Sequence, residues 1–575
     1  MWRASTGIPA AERRPAQLVT IVGTLLFTLV LCRWRPWMLF SRGDFSSDFY
    51  DVQARAFLHG HLDVPADVAG IEGFLIDGRT YLYYGPFLAI ARFPTAVFGS
   101  WADGRLTRLS MVIGFVLLCT VTFHLAQRVR RLVGARAAAD REATPGLAAW
   151  RPALLVAAVA CSPVLALAGD ATVYHETELW AFVLILATFV KLLDVLAEPR
   201  LVDATLAAAA AVAALLTRVS VGLGACAAVG IVALIVWRRE RRSALTMLGV
   251  AGAGVCVHVG LNVAKVGTLF DLPADRQVLS LLDPDRAEWF AGNGNSFFGV
   301  GFLPTTILHY LRPDAFAVER LAPFIRFGPR AHEFGSYPLE SNTPSSSLTA
   351  SATLLVVVAV IGAVIAVRRR LWPIAPLVAG ALVAALPTLA IGFIANRYLV
   401  DLLPGLVVLG AVAIAAFHVT PRDELPERSR PWRTVALVTV GVLAAWGAAI
   451  NVALATWIDG IDRPGFTAMR YDLDDALFGG PAPSVIAIDS ETPVPRDGIV
   501  GIDGPCDGLY IASQGRWAPL ELAPGVRQLS GTFAPADGRT TLLGNDLDGY
   551  DRIDVVADDA AGTIHLVLHT ADGDE

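Results

Sequence analysis

The sequence predicts an all-α polytopic membrane domain of about eleven transmembrane helices, followed by a small C-terminal all-β domain. Three observations carry that prediction. Of the 575 residues, 54% are hydrophobic and only 17% charged, and the mean hydropathy is +0.54, against roughly 45–50% apolar and about 25% charged in a soluble domain. The apolar residues come in runs of about 16–23 separated by arginine clusters, and a helix needs about 20 of them to cross a bilayer core. Beyond residue 465 the pattern changes to short alternating runs between Gly, Asp and Pro turns, such as Ser484-Val485-Ile486-Ala487-Ile488 and Thr563-Ile564-His565-Leu566-Val567-Leu568. Alternation of that kind is strand patterning.

The runs place spans at 17–38, 106–126, 152–168, 179–197, 202–217, 220–237, 243–263, 350–367, 373–394, 399–418 and 433–456. Arg13-Arg14, Arg128 with Arg130-Arg131, Arg200, the run Trp237-Arg238-Arg239-Glu240-Arg241-Arg242, Arg368-Arg369-Arg370 and the 422–433 loop then fall on one side. The positive-inside rule makes that side the cytoplasm. The expected organisation is a cytoplasmic N-terminus at 1–16, a transmembrane domain at 17–456 with exoplasmic loops 39–105, 169–178 and 265–348, and an exoplasmic β-sandwich-like domain at 457–575. Arg33, Arg35 and Arg218 break the charge bias by lying at the outer ends of spans. Cations held there either bind a lipid phosphate or snorkel to the interface. The first apolar run ends in Cys32-Arg33-Trp34-Arg35-Pro36-Trp37 without a small-residue cleavage site, so it reads as a retained span.

The net charge of −6 conceals acids gathered in the long loops and the tail, which argues against a nucleic-acid partner. Cys32, Cys119, Cys161, Cys226 and Cys256 lie in or beside apolar runs and Cys506 stands alone, so no disulfide framework is implied. Lysine occurs only at Lys191 and Lys265 while Ala and Arg abound, a composition that suggests a GC-rich bacterial genome. The expected location is the bacterial cytoplasmic (inner) membrane, multi-pass, with the C-terminal domain exoplasmic.

The first outward loop opens Gly43-Asp44-Phe45-Ser46-Ser47-Asp48-Phe49-Tyr50-Asp51, followed by an amphipathic stretch to Gly60. Asp48 follows two serines in the position of a helix N-cap. Glu72-Gly73-Phe74-Leu75-Ile76-Asp77-Gly78-Arg79-Thr80-Tyr81 reads as a hairpin, and Tyr81, Tyr83 and Tyr84 read as interfacial anchors before a second surface helix. A second acidic element fills the short outward turn, Gly169-Asp170-Ala171-Thr172-Val173-Tyr174-His175-Glu176-Thr177-Glu178. Acids beside a bilayer are costly unless they face a cavity; the structural alternative is that Glu176 or Glu178 starts the next helix, where acids suit the helix dipole. Asn262–Phe270 after a span and Asn396-Arg397-Tyr398-Leu399 with Pro404 are further polar elements at span ends.

A long first exoplasmic loop opening on an acidic motif with a Tyr and carrying two surface helices, on an eleven-span chain, resembles the GT-C membrane glycosyltransferases. Within them it looks most like the bacterial branch related to protein O-mannosyltransferases and aminoarabinose transferases. The resemblance covers residues 17–456. It implies that an aspartate of this loop activates the acceptor, and Asp48 matches that position best. The commoner family form is Asp-Glu where this chain has Asp48-Phe49, which leaves Asp44 and Asp51 as rivals. The resemblance extends to Asp170 as a second catalytic acid, to the Asn262–Phe270 segment and to the Arg397-Tyr398 pair.

What it implies is a glycosyltransferase, hexosyl- or pentosyl-transferring, that takes a sugar from a polyprenyl-phosphate carrier to a cell-envelope glycan, lipid or protein with inversion. Binding roles then fall to Asp44, Asp51, Tyr50, His175, Glu176, Arg218, Lys265, Arg397 and Tyr398. The polyprenyl phosphate left behind needs cations at the interface. Arg33, Arg35, Arg55, Arg79, Arg218, Lys265 and Arg397 are the outward ones, with Arg218 and Arg397 favoured. No cofactor is certain, and a divalent metal held by the loop carboxylates stays open without a ligand-spacing motif for it. Membrane lipids are the remaining partners. The rival class is a transporter or flippase of a lipid-linked glycan, which would place ionisable residues at mid-span. A noncatalytic scaffold presenting the β domain is the third.

Overall fold

A computed structural model describes residues 10–43, 45–134, 147–270, 272–318, 322–329, 332–334, 338–416 and 430–460, together with 470, 473, 476–477 and the C-terminal strands named below. The chain divides into two compact units, one of residues 1–317 with 325–458 and one of residues 318–324 with 459–575.

The first unit is built from apolar helices: α1 (Ala10–Leu31), α2 (Thr107–Gly134), α3 (Arg151–Ala160), α4 (Val173–Ala197), α5 (Leu201–Leu215), α6 (Val219–Val236), α7 (Arg241–Val266), α8 (Thr353–Arg368), α9 (Ala375–Ala390), α10 (Leu403–Ala416) and α11 (Arg430–Gly460). Each lies on a run expected to span. Among the described residues, eight helices are long and apolar enough to cross a membrane, and α3 with Pro163–Gly169, bent by 41° at the break, makes a ninth. The expected spans at 202–217 and 350–367 are helices of only 15 and 16 residues. At about 1.5 Å per residue they fall short of a core about 30 Å thick, so length alone does not give eleven crossings. Large apolar side chains such as Leu18, Leu234 and Val438 stand exposed on the helix surfaces, as a lipid-facing perimeter requires.

The centre of this unit is α4, which packs against α2, α5 and α6, while α6 lies on α9 and α8 on α10. Small residues permit these approaches. At Gly362 of α8 the backbone of α10 is so close that an added methyl would run into the Leu409 carbonyl.

The long loops gather at one end. In the first, the helix Phe49–Leu58 precedes an antiparallel hairpin that pairs Phe74–Ile76 with Arg79–Tyr81. Asp77 and Gly78 turn it with φ of +50° and +75°, the left-handed pair that an Asp-Gly hairpin turn favours. Short helices follow at Pro86–Ala91 and Phe93–Ala96. In the third loop, Leu303–Leu311 is helical. Phe74 bridges Gln277, and the Val278 amide donates to the Gly73 carbonyl at 2.8 Å, which joins the first and third loops.

The second unit is a small sheet structure with strands β1 (Val485–Pro493), β2 (Leu509–Ser513), β3 (Arg516–Leu520), β4 (Gln528–Ala534), β5 (Arg539–Gly544), β6 (Arg552–Asp558), β7 (Thr563–Thr570) and β8 (Gly573–Asp574). Six form one antiparallel sheet in the order β8-β7-β6-β5-β2-β3, and β1 pairs with β4 in parallel. Cys506 and the Asp503–Gly508 segment lie outside the described residues.

Replacing Gly362 with Ala is expected to lower the stability of the detergent-solubilised protein by about 1–3 kcal/mol, the usual cost of overpacking. Gly249 of α7 has open space around it, so Gly249→Ala should leave the melting temperature unchanged or raised. Thermal unfolding of the two variants is the measurement.

Candidate active site

Five short pieces of chain meet at the loop end: the helix Phe49–Leu58, the Tyr83–Arg92 stretch, the first turns of α4, and the turns before α6 and α10. Their meeting depends on close backbone contact. Gly85 lies where a β-carbon would strike the Leu216 carbonyl, and the Phe87 amide donates to that carbonyl at 3.0 Å. The Tyr83-Tyr84 pair is thereby held against the turn between α5 and α6. The Asp170 segment enters from α3, whose chain breaks at Cys161; Asn451 of α11 braces the break by donating to the Cys161 carbonyl at 3.1 Å and to the Ser351 carbonyl at 2.8 Å.

Two arginines grip α4, Arg92 buried and Arg218 partly exposed. Arg92 reaches Glu176 at 2.5 Å and Asp51 at 3.4 Å, and the Gly104 amide donates to the other Asp51 oxygen at 3.0 Å. Beside it the Tyr50 hydroxyl meets the Thr177 hydroxyl at 2.6 Å. Burial raises the Asp51 pKa from 3.8 to about 7, in spite of Arg92 and the Gly104 amide, which pull it down. Burial also disfavours charge on Arg92, but Glu176 and Asp51 more than offset that, so the guanidinium stays charged. The second grip is Arg218, which binds the Asp401 carboxylate in bidentate fashion, with Nη2 at 2.7 Å and Nε at 3.1 Å. It lies 3.0 Å from Glu178. The Thr388 hydroxyl donates to Asp401 at 2.5 Å. Burial works against the Arg218 charge, and Asp401 and Glu178 outweigh it to raise the pKa.

Two further cations form no ion pair among the described residues. Among the described residues, Arg397 makes neither an ion pair nor a hydrogen bond; it lies over the rings of Tyr174, Tyr398 and Phe393 at 4.8, 5.0 and 5.7 Å. Lys265 is buried, donates to the carbonyls of Leu82 at 3.1 Å and Tyr84 at 3.5 Å, and lies 5.8 Å from the Phe57 ring centroid. The Tyr84 ring packs on Tyr174 at 5.9 Å and stacks on Tyr83 at 4.2 Å, so the two cations border one aromatic cluster.

The residues expected to act are thus distributed in three ways. Tyr50, Asp51 and Glu176 meet around Arg92. Arg218, Arg397 and Tyr398 meet beside Asp401, and Lys265 lies against the Tyr84 backbone. Asp48, by contrast, stands outside both networks. It occupies the N-cap position of its helix, yet its side chain caps no amide: Arg42 takes the carboxylate at 2.9 Å instead. His175 Nδ1 donates to the Asp170 carbonyl at 2.8 Å, so the Asp170 turn is tied to α4 through its main chain. Asp44 lies outside the described residues. Asn262 donates to Thr268 and closes the end of α7 at Gly267. Arg55 is paired bidentately with Asp103, and Arg79 lies 3.9 Å from Asp63.

The sequence reading missed Arg92, Asp401 and the pairing of Glu178 with Arg218. Asp401 carried a signal, since an acid inside an apolar run is costly without a partner. Arg92 carried none beyond its place between two apolar helical turns. Among the described residues, no group of three or more His, Cys, Asp or Glu side chains is placed to hold a metal ion.

No family model and no curated protein matches the chain. Solved structures do: the oligosaccharyltransferase of Archaeoglobus fulgidus, in complex with Zn and sulfate, is 12% identical with a TM-score of 0.41 over 82% of this chain. The match spans only 60% of the length of that enzyme. ArnT from Cupriavidus metallidurans, bound to undecaprenyl phosphate, is 14% identical with a TM-score of 0.37, covering 83% of this chain and 82% of that one. The overlap is loose, and the roles of individual residues rest on this chain's own geometry.

The Asp51 environment predicts a pH effect. Its folded pKa lies above the unfolded value, so the folded chain keeps a proton that the unfolded chain gives up as pH rises past 3.8. Stability therefore declines from about pH 4 to about pH 7 and is level above. Asp51→Asn, which cannot ionise, should flatten that decline in melting temperatures measured between pH 5 and 8; an unchanged slope would assign the decline to other groups.

Proposed function

We propose that this multi-pass membrane protein is a glycosyltransferase of the cytoplasmic membrane. It moves a sugar from a polyprenyl-phosphate-sugar donor to an exoplasmic cell-envelope acceptor, with inversion. The observation that carries the reading is the pair of cations without acids, Lys265 and Arg397, beside a tyrosine cluster at the loop end. A buried cation without a counterion is costly. An anionic head group arriving there would supply the missing charge, and a polyprenyl phosphate brings one where its tail can stay in lipid.

Asp48 supplies the base. Its carboxylate is partly accessible and its described partner is the exposed Arg42, whereas both oxygens of Asp51 are engaged in a buried network. In the reaction Asp48 takes the proton of the acceptor hydroxyl as that oxygen attacks the anomeric carbon. The bond from that carbon to the phosphate oxygen breaks, and the leaving polyprenyl phosphate carries away the electron pair. One displacement inverts the configuration. Lys265 and Arg397 stabilise the charge on the departing phosphate, while Arg92 and Arg218 hold α4 against the loops. Asp170 stands by as the second acid.

The test is transfer of labelled sugar from a panel of polyprenyl-phosphate donors in membranes carrying the native chain or Asp48→Asn. General-base loss costs about 10²–10⁴-fold, and a loss of that size with donor binding retained supports the assignment. Undiminished transfer would move the base to Asp44, Asp51 or Asp170. No transfer from any donor, with lipid-linked glycan still bound, would favour carriage of that glycan over chemistry.

A further inference from the structure

Beside the helix Phe49–Leu58 runs a groove of about 590 Å³, within the range of about 300–1,000 Å³ usual for ligand sites. Val52, Ala56 and Val64 give it apolar surface, and His59, His61 and Asp63 line it with polar groups. Asp48, Val52, Ala56 and His59 follow one another at intervals of three and four residues, so they form one stripe of the helix. At about 1.5 Å per residue, Asp48 lies about 6 Å along the axis from Val52, the lining residue nearest to it on that stripe. The groove therefore leads toward Asp48.

The polar groups of the groove are short of donors. In the neutral ring, Nδ1 of His59 donates to the Arg55 carbonyl at 2.7 Å, which leaves Nε2 as an acceptor. Among the described residues the Asp63 carboxylate accepts no hydrogen bond: His61 and Arg79 stand 3.8 and 3.9 Å from it. Charge is balanced here, because Arg55 is matched by Asp103 and Arg79 stands beside Asp63. Neither a cationic nor an anionic ligand is favoured by such a surface. The Val64 amide donates to the Thr80 carbonyl at 2.9 Å, so that donor is closed to an extended peptide pairing strand to strand. A ligand complementary to these features is uncharged, brings several hydroxyl donors and lays an apolar face on Val52 and Val64. A neutral carbohydrate has that surface.

We infer that this groove binds the acceptor and that the acceptor is a neutral glycan. Asp63 and His59 accept its hydroxyls, and the sugar nearest Val52 presents a hydroxyl to Asp48. The inference rests on the proposed function, which makes Asp48 the base. Gln53 and Phe57 turn to another side of the helix, where Gln53 donates to the Tyr84 carbonyl at 3.3 Å and the Phe57 ring faces Lys265. Changes in the groove thus leave the cations assigned to the phosphate in place.

The experiment uses the purified full chain, native, Asp63→Ala and Ala56→Trp, the last of which fills the groove without touching a charge. Equilibrium binding is measured for polyprenyl phosphate and for galactan, arabinan, mannan and glucan fragments from monosaccharide to hexasaccharide. At least one of these neutral series should bind the native chain, more tightly as the fragment lengthens. Losing a hydrogen bond to a charged group weakens binding about 10-fold or more, so Asp63→Ala should show a loss of that size and Ala56→Trp at least as large a one. Affinity for polyprenyl phosphate should be the same in all three proteins. Should one variant not fold, the other decides. No fragment bound while polyprenyl phosphate is bound, or fragment binding that the variants leave unmoved, overturns the inference. Tighter binding of a peptide or a cationic oligosaccharide at the same residues overturns the neutral-glycan assignment. Failure of the native chain to bind polyprenyl phosphate sinks the proposed function instead, whatever the groove binds.

Discussion

The first two turns of α4 are gripped from two sides by arginines, Arg92 buried and Arg218 partly so, and the geometry of the site follows from that grip. Arg92, carried by the first loop, closes on Glu176. Arg218, on the turn between α5 and α6, reaches Glu178 and Asp401. A guanidinium can be buried only if acids and hydrogen bonds replace its water, and removing one partner of such a pair costs about 3–5 kcal/mol. The loops are consequently locked to the helices by charges that cannot be separated cheaply. Close backbone contacts, such as Gly85 against Leu216, are affordable because these pairs fix the same pieces.

The charges are also unevenly distributed. Arg92 and Arg218 lie among Asp51, Glu176, Glu178 and Asp401, whereas among the described residues Lys265 and Arg397 form no ion pair and lie against carbonyls and aromatic rings. Folding alone would be better served by pairing every charge. The end of the molecule where the long loops gather therefore holds cations that form no ion pair among the described residues, and Asp48 is held apart from the buried network by Arg42.

Much of the architecture was legible in the sequence, because hydropathy runs and strand alternation are local signals. Each apolar run became a helix, and the alternating tail became strands. The number of crossings was less legible: α5 and α8 are apolar enough but short, and composition does not register where a helix stops. The site was legible in part. Tyr50, Asp51, Glu176, Arg218, Lys265, Arg397 and Tyr398 were visible as polar groups at span ends, since such groups are rare there. Their partners were not, because Asp51 and Arg92, or Arg218 and Asp401, are far apart in sequence and pair only through tertiary packing. Asp48 shows the same limit: its cap position is a local property and is observed, while its side-chain partner, Arg42, is set by how the loop folds back.

The central claim is that the surplus cations hold a lipid phosphate. It is tested most directly by comparing the affinity of the purified native chain for polyprenyl phosphate and for uncharged polyprenol, then repeating both with Lys265→Met and Arg397→Met combined. The account predicts a strong preference for the phosphate in the native chain that disappears in the double variant, with polyprenol binding unaltered. Equal affinity of the native chain for the two lipids, or a preference that survives loss of both cations, would contradict it.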